Sequence, residues 1–467
     1  MRSVLPIALL VVACAHPVIE RAREPALTYA IAIDETLAHM RVSVCPSAAR
    51  LPAALVPIHR AALAHLASVE LVLPDGGVRA LPVGERIDLT EAPPRACVRY
   101  DVDFTACDEP HGPPSCARAG RDLFAPTSTW LLAPETRVIA AHYAMRLELP
   151  AGVHVTPFGA RESSPGVLEL DDRAFAFVSY VAFTHDEAHA LAVPGGGCVD
   201  LVTLEGALAA SDADRTEWLT RAASASARVT GTVPSERLTT IVVPTIDVPS
   251  MPVVFGVAGR GMQPTITLFV SANATAEPLV HDWTAVHELA HLLIADLDED
   301  QWLSEGIATY YEEVLRAREG LLSEADAWSA IASGFERGRA GCQTGVTLRE
   351  ASRTMHSSHA YACVYWSGAA IALLADTAYR RAGSSLDEAI VRAWPRRAEH
   401  TSATELVRWL DGETDGVLAH IAATALDATT FPDTTAALAA DEAAVAMRHA
   451  IMNGPSPTPS NPSSCTR

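Results

Sequence analysis

Lysine is absent from this chain, and all 35 of its basic residues are arginine. That absence excludes Schiff-base lysines, Ser-Lys dyads and the phosphate-gripping lysine of a P-loop. Positive charge is scarce in any case, because 56 acidic residues leave a formal net charge of -21. With no basic stripe to meet phosphates, nucleic acid is excluded as a partner. Apolar runs long enough to span a bilayer are also missing: residues 4–12 are too few, and residues 360–375 are short and rich in small residues, which suits a buried helix. No Cys-x-x-Cys pair exists, which removes a zinc ribbon.

What is present begins with an export signal. Arg2 supplies a short positive region, the apolar run follows, and Val11-Val12-Ala13-Cys14 sets small residues before a cysteine. Residues 1–13 therefore read as a signal peptide with a lipobox, and Cys14 as the lipidated residue through which the protein attaches to a membrane of the cell envelope. An ordinary signal peptide cut nearby, giving a periplasmic or secreted protein, is the other reading. Either way the remaining eight cysteines meet oxidising conditions and favour disulfides, although eight cysteines allow 105 pairings. Cys107 with Cys116 would close a Pro/Gly-rich loop, and Cys342 with Cys363 would tie a loop to the helix that follows. The tail over 451–467 is Pro/Ser-rich and expected to be disordered, with Cys465 in it as a candidate unpaired thiol.

At 467 residues the chain is long enough for two or three domains. After a linker over 14–25, residues 26–197 carry alternating or β-branched stretches at 28–33, 40–45, 69–73, 97–104 and 137–149, which predict an antiparallel β-sandwich. From residue 198 the pattern changes. Helical spacing over 212–226 and strands at 238–243 and 265–270 give an α+β domain over 198–335. Residues 336–450 read as a mainly helical region that completes the active site, so the fold class is multidomain α+β.

The chemistry sits in His287-Glu288-Leu289-Ala290-His291. On a helix, histidines four apart share one face and can meet a single Zn²⁺, while the glutamate between them holds a water without binding the metal. Asp282 stands where an N-cap would, and Val286, Leu289, Ala290, Leu293 and Ile294 supply the apolar stripe. In Trp302-Leu303-Ser304-Glu305-Gly306-Ile307, Glu305 would open a second helix with Ile307, Tyr311, Val314 and Leu315 on its core face. Thirteen residues separate it from His291, enough to bring a carboxylate back as third ligand. Glu312, seven residues on, shares its face and could orient a ligand from behind.

These two segments, with Tyr365-Trp366-Ser367-Gly368 and Ser385-Leu386-Asp387-Glu388-Ala389-Ile390 downstream, resemble the gluzincin metallopeptidases of the peptidase MA-like fold, specifically the aminopeptidase N and glycyl aminopeptidase branches. The resemblance covers about 261–390. It implies a thermolysin-like α+β catalytic domain and an N-terminal β-sandwich. It also implies a Zn²⁺ held by His287, His291 and Glu305, Glu288 as general base, Tyr365 as donor to the oxyanion, and a peptide or protein substrate. One segment departs from the family. Gly261-Met262-Gln263 falls where relatives carry a motif ending in a glutamate that binds the substrate's α-ammonium, and Gln263 lies 24 residues before His287, as that motif requires. A neutral amide offers no charge to offset desolvation of an ammonium, so exopeptidase activity is expected to weaken. The connection to Glu305 is also shorter than in the family. Both departures motivate a second reading, a surface-anchored peptide- or protein-binding pseudopeptidase that keeps the metal without turnover. His185-Asp186-Glu187-Ala188-His189 repeats the histidine spacing but puts its glutamate on the far side, so a solvated turn is expected there. His59 and His65 are expected as surface histidines.

Overall fold

A computed structural model describes residues 25–454, apart from 48–49, 108–115, 137–140, 172–174, 176–178, 194–195, 249, 298–299 and 413, together with Cys465. The leader over 1–13, Cys14, nearly all of the 14–25 linker and most of the 451–467 tail lie outside the described residues.

The N-terminal part is built from strands. Leu27–Ile33 alternates buried and half-buried positions, the period of two that lets one face enter a core while the other meets solvent. It lies inside an eight-stranded sheet ordered Arg161–Ser164, Val167–Asp171, His142–Glu148, Leu27–Ile33, His39–Pro46, Cys97–Asp103, Leu66–Val72, Val78–Ala80. This differs from a plain antiparallel sandwich in two ways. Leu27–Ile33 pairs in parallel with His142–Glu148, because the long chain between them supplies the crossover that a parallel pair needs. Three- and four-stranded sheets accompany the large one, making three sheets in place of two. Leu55, Ile87 and Leu132 of the three-stranded sheet join Tyr29, Val42, Val98 and Tyr100 of the large one in a single apolar cluster.

A mixed five-stranded sheet follows, ordered His189–Ala192, Cys198–Thr203, Arg237–Thr245, Thr265–Ser271, Val253–Gly259. The middle three strands run parallel, and Val253–Gly259 closes one edge antiparallel to its neighbour. That edge strand was not anticipated from the sequence. Helix Asp212–Thr230 packs on the sheet. A capping box of Ser211 and Asp214 starts it, and Gly231 at φ 82° stops it. Phe124, Tyr180 and Ala182 pack with Ile241, Val243 and Phe269 of the sheet, so a small apolar cluster joins the N-terminal strands to the central sheet.

Beyond the sheet the chain is helical, and one apolar core runs from Leu191 through to Met452. At its centre helices Gln301–Arg318 and Tyr361–Arg381 cross at two glycines. A Cβ on Gly306 would fall on the Gly368 backbone, and one on Gly368 would fall on the Trp302 carbonyl. Among the described residues no helix is long and apolar enough to cross a membrane. Four disulfides close the structure. Cys107–Cys116 and Cys342–Cys363 are as expected, and Cys45–Cys97 ties neighbouring strands. Cys465 is not the free thiol expected from its place in the tail, because it pairs with Cys198 at the start of a central strand.

Candidate metal centre

Helix Thr284–His291 carries both histidines, with Leu289 and Ala290 buried beneath them. Its start differs slightly from expectation. Trp283 is the cap residue, and Asp282 acts from one position earlier by accepting the Thr284 N–H at 2.8 Å. Its far end is held by Arg260, which donates to the carbonyls of His291 and of Ile294 (2.7 Å) and pairs with Asp296 at 3.3 Å. These bonds satisfy carbonyls that a helix leaves open, and they bring positive charge to its negative end.

Helix Gln301–Arg318 supplies the partners. Glu305 lies in its second turn, not at its opening. Its Oε2 stands 3.4 Å from Nε2 of His287 and 3.4 Å from Nε2 of His291. That separation is long for a hydrogen bond between ionised groups. Two donors on a tetrahedral Zn²⁺, each at about 2.0–2.1 Å, stand about 3.3–3.4 Å apart. Glu305 Oε2 is buried and has no hydrogen-bond partner, an orphan acceptor pointing at the same spot as two imidazole nitrogens. The opposite ring nitrogens are both occupied by the same helix. Glu312 Oε2 lies 2.6 Å from Nδ1 of His287, and Ser304 Oγ lies 3.2 Å from Nδ1 of His291. Such contacts fix each imidazole's tautomer and leave Nε2 as the free lone pair.

The side chains of the cluster support one another's charged forms. Burial works against a charged His287, yet Glu305 and Glu312 beside it hold its pKa well above the ordinary imidazole value. Burial likewise opposes ionisation of Glu305, but the charges of His291 and His287 bring its carboxyl well below the usual range. Glu288 is buried, and that burial raises its carboxyl above the ordinary value despite the histidines' charges and an Ala258 backbone hydrogen bond. Two imidazoles and one carboxylate form the donor set of a catalytic zinc site, so these residues fit that ion.

The wall of the site comes from two further elements. Gly256 of the edge strand lies so close to the metal helix that a Cβ there would meet Thr284 and Glu288. Tyr365, one turn into helix Tyr361–Arg381, stacks on His287 with ring centroids 6.0 Å apart and planes 14° apart. Burial, and then the charges of Glu305 and Glu288, hold its phenol far above its ordinary pKa, so it stays a proton donor.

Several residues singled out in the sequence are not brought here. Gln263 donates its amide to Thr239 of the neighbouring strand at 3.0 Å, and Met262 donates its N–H to Gly159 at 2.8 Å. The segment Gly261-Met262-Gln263 forms the bend after the edge strand, and Gly256 and Ala258 of that strand lie against Glu288. His185 is bound to Asp122 through its ring Nδ1 at 3.0 Å. His65 is half-buried, not a surface residue, and lies 3.6 Å from Cys116, whose sulfur is committed to the disulfide with Cys107. Ser304, Arg260 and the edge strand were missed.

No protein-family profile matches this chain, and no curated protein sequence matches it. Solved structures do match. An aminopeptidase N family protein from Idiomarina loihiensis superposes with a TM-score of 0.66 at 16% identity, over 88% of this chain and 77% of that one. An M1 zinc metallopeptidase from Deinococcus radiodurans gives 0.54 at 15% identity, over 87% and 94%. A mutant of the Deinococcus enzyme bound to a Tyr-Ser-Ala substrate gives 0.53 at 14% identity, over 87% and 94%. At these identities the likeness is one of fold, the gluzincin MA-like fold.

Proposed function

We propose that this chain, which has the fold of the M1 zinc metallopeptidases, hydrolyses peptide bonds with one Zn²⁺ held by His287, His291 and Glu305. The convergence of Glu305 Oε2 on both Nε2 atoms at 3.4 Å carries the proposal. The ion, when bound, supplies Lewis acidity that lowers a water's pKa towards about 7 and polarises the scissile carbonyl. Glu288, buried beside the ligands and raised in pKa, takes the water's proton and returns it to the leaving amine. Tyr365 donates its phenolic hydrogen to the oxygen on which negative charge develops. Glu312 and Ser304 hold the two imidazoles in orientation. The edge strand Val253–Gly259 and the Tyr365 helix line the place where a peptide lies.

Retention of all three ligands together with the base supports turnover over a role in binding alone. Four disulfides support folding in an oxidising compartment. We assign the segment over 1–13 to export and Cys14 to lipid attachment. The domain division at 26–197, 198–335 and 336–450 belongs to the same proposal. The test is peptide hydrolysis by wild type and by Glu288→Gln at matched zinc content. The variant should lose at least about two orders of magnitude in kcat, the usual share of a general base. Equal rates would remove the assignment.

A further inference from the structure

The hydrolytic reading leaves open which side chains the substrate carries, and the ligand-bearing helix narrows the choice. Its residues from Thr284 to Ala290 are all buried. Trp283, which starts it, is 45% exposed. The residue already follows the helical register, because His287 donates its N–H to the Trp283 carbonyl at 3.0 Å. Positions 283, 287 and 291 are thus spaced four apart and share one face of the helix. The indole stands in line with the two imidazoles, on the side that meets the metal position.

Ring contacts fix where it lies. Trp283 meets His287 edge-on, with centroids 5.4 Å apart and planes 87° apart. Tyr365 stacks on the same imidazole, so the indole and the phenol assigned to the oxyanion border one ring. Two extended residues of a peptide span about 7 Å, so a chain whose scissile bond lies at this centre carries its nearby side chains past Trp283. Other exposed aromatic rings stand further off: Phe255 meets Phe269, and Tyr361 meets Tyr365. Among the described residues, Trp283 is the exposed aromatic that touches a ligand.

The neighbours of the indole point to an uncharged occupant. Asp282, the acidic residue beside it in the chain, is buried and accepts the Thr284 N–H at 2.8 Å, so it is not free to pair with a cationic side chain. An apolar group that covers the indole removes apolar surface from water, and an aromatic one gains ring contact in addition. We infer that Trp283 is a specificity-determining residue, and that this centre selects peptides with an aromatic or large aliphatic side chain within two residues of the scissile bond. The inference rests on the hydrolytic reading, and its test separates the two.

Dissociation constants are measured on zinc-loaded Glu288→Gln protein for the peptide Ser-Ala-Ser-Ala-Ser-Ala and for versions in which each residue in turn is replaced by Phe or by Arg. At least one Phe version should bind about 5- to 30-fold more tightly than the parent peptide, the usual share of one aromatic anchor. Adding Trp283→Ala should cut that gain to less than about twofold, and adding Trp283→Phe should keep most of it. Zinc content and melting temperature are followed in parallel, and Trp283→Gln, which suits an exposed helix start, repeats the test where the alanine variant folds poorly. No gain from Phe at any position, or a gain that survives both Trp283→Ala and Trp283→Gln, would overturn the inference. A larger gain from Arg that disappears with the indole would overturn the apolar substrate class. These readouts are binding constants, so failure of the wild type to cleave the tightest peptide would count only against the hydrolytic reading.

Discussion

Glu312 is spent on a histidine ring and not on the metal. Its Oε2 at 2.6 Å from Nδ1 of His287 fixes that imidazole so that Nε2 faces Glu305. Removing such an orienting carboxylate costs about 10- to 100-fold in metal affinity in comparable sites. Glu312→Ala should therefore weaken zinc binding by about that factor, measured by competition with a chelator, while far-UV circular dichroism stays as in wild type. Its seven-residue offset from Glu305 made it legible in the sequence, because two helical turns return to one face whatever the tertiary structure does. The histidine pair was legible for the same reason. Ser304 and Arg260 were not, since their roles depend on where a neighbouring helix lies, which no local period encodes. Gln263 shows the opposite failure. Counting 24 residues back from His287 measures chain and not space, and the chain spends those residues bending past Thr239.

At the level of elements, the site depends on how closely two helices approach. Gly306 and Gly368 face one another in the crossing that sets Tyr365 above His287. In an open helix a Gly→Ala change is favourable by roughly 0.5–1 kcal/mol, because glycine loses more backbone freedom on folding. At Gly368 the added methyl meets the Trp302 carbonyl, and overpacking of that kind costs about 1–3 kcal/mol. Gly368→Ala should then destabilise the protein in urea melts and lower kcat/KM through displacement of Tyr365. A stabilised variant would contradict the crossing. The helices themselves were readable from their spacing and caps. Edge strand Val253–Gly259 was not, because two of its seven residues are glycine and it holds no polar residue to alternate with the apolar ones. Its shape answers the metal helix beside it.

Across the whole molecule, the residue pattern predicted strands first, a helix and further strands next, and helices last, and the elements follow that order from Leu27–Ile33 through Asp212–Thr230 and Thr265–Ser271 to Glu442–Met452. The count and pairing of the sheets were out of reach, since parallel pairing of Leu27–Ile33 with His142–Glu148 joins segments far apart in sequence. Cys465 is the plainest case. Its Pro/Ser-rich surroundings carry no packing signal, and only the fold reveals Cys198 beside it, 267 residues away along the chain. A link across so long a loop restricts the unfolded chain, and removing a native disulfide typically costs about 2–4 kcal/mol. Cys465→Ser together with Cys198→Ser should lower the melting temperature under oxidising conditions while zinc content holds at one per chain. The central claim is that three side chains from two helices meet on one ion, with Glu288 beside it and not on it. Anomalous diffraction at the zinc edge tests this most directly. A single peak within about 2.0–2.2 Å of His287 Nε2, His291 Nε2 and a Glu305 oxygen is the predicted result. A peak elsewhere, or one that includes Glu288 and leaves out Glu305, would contradict it.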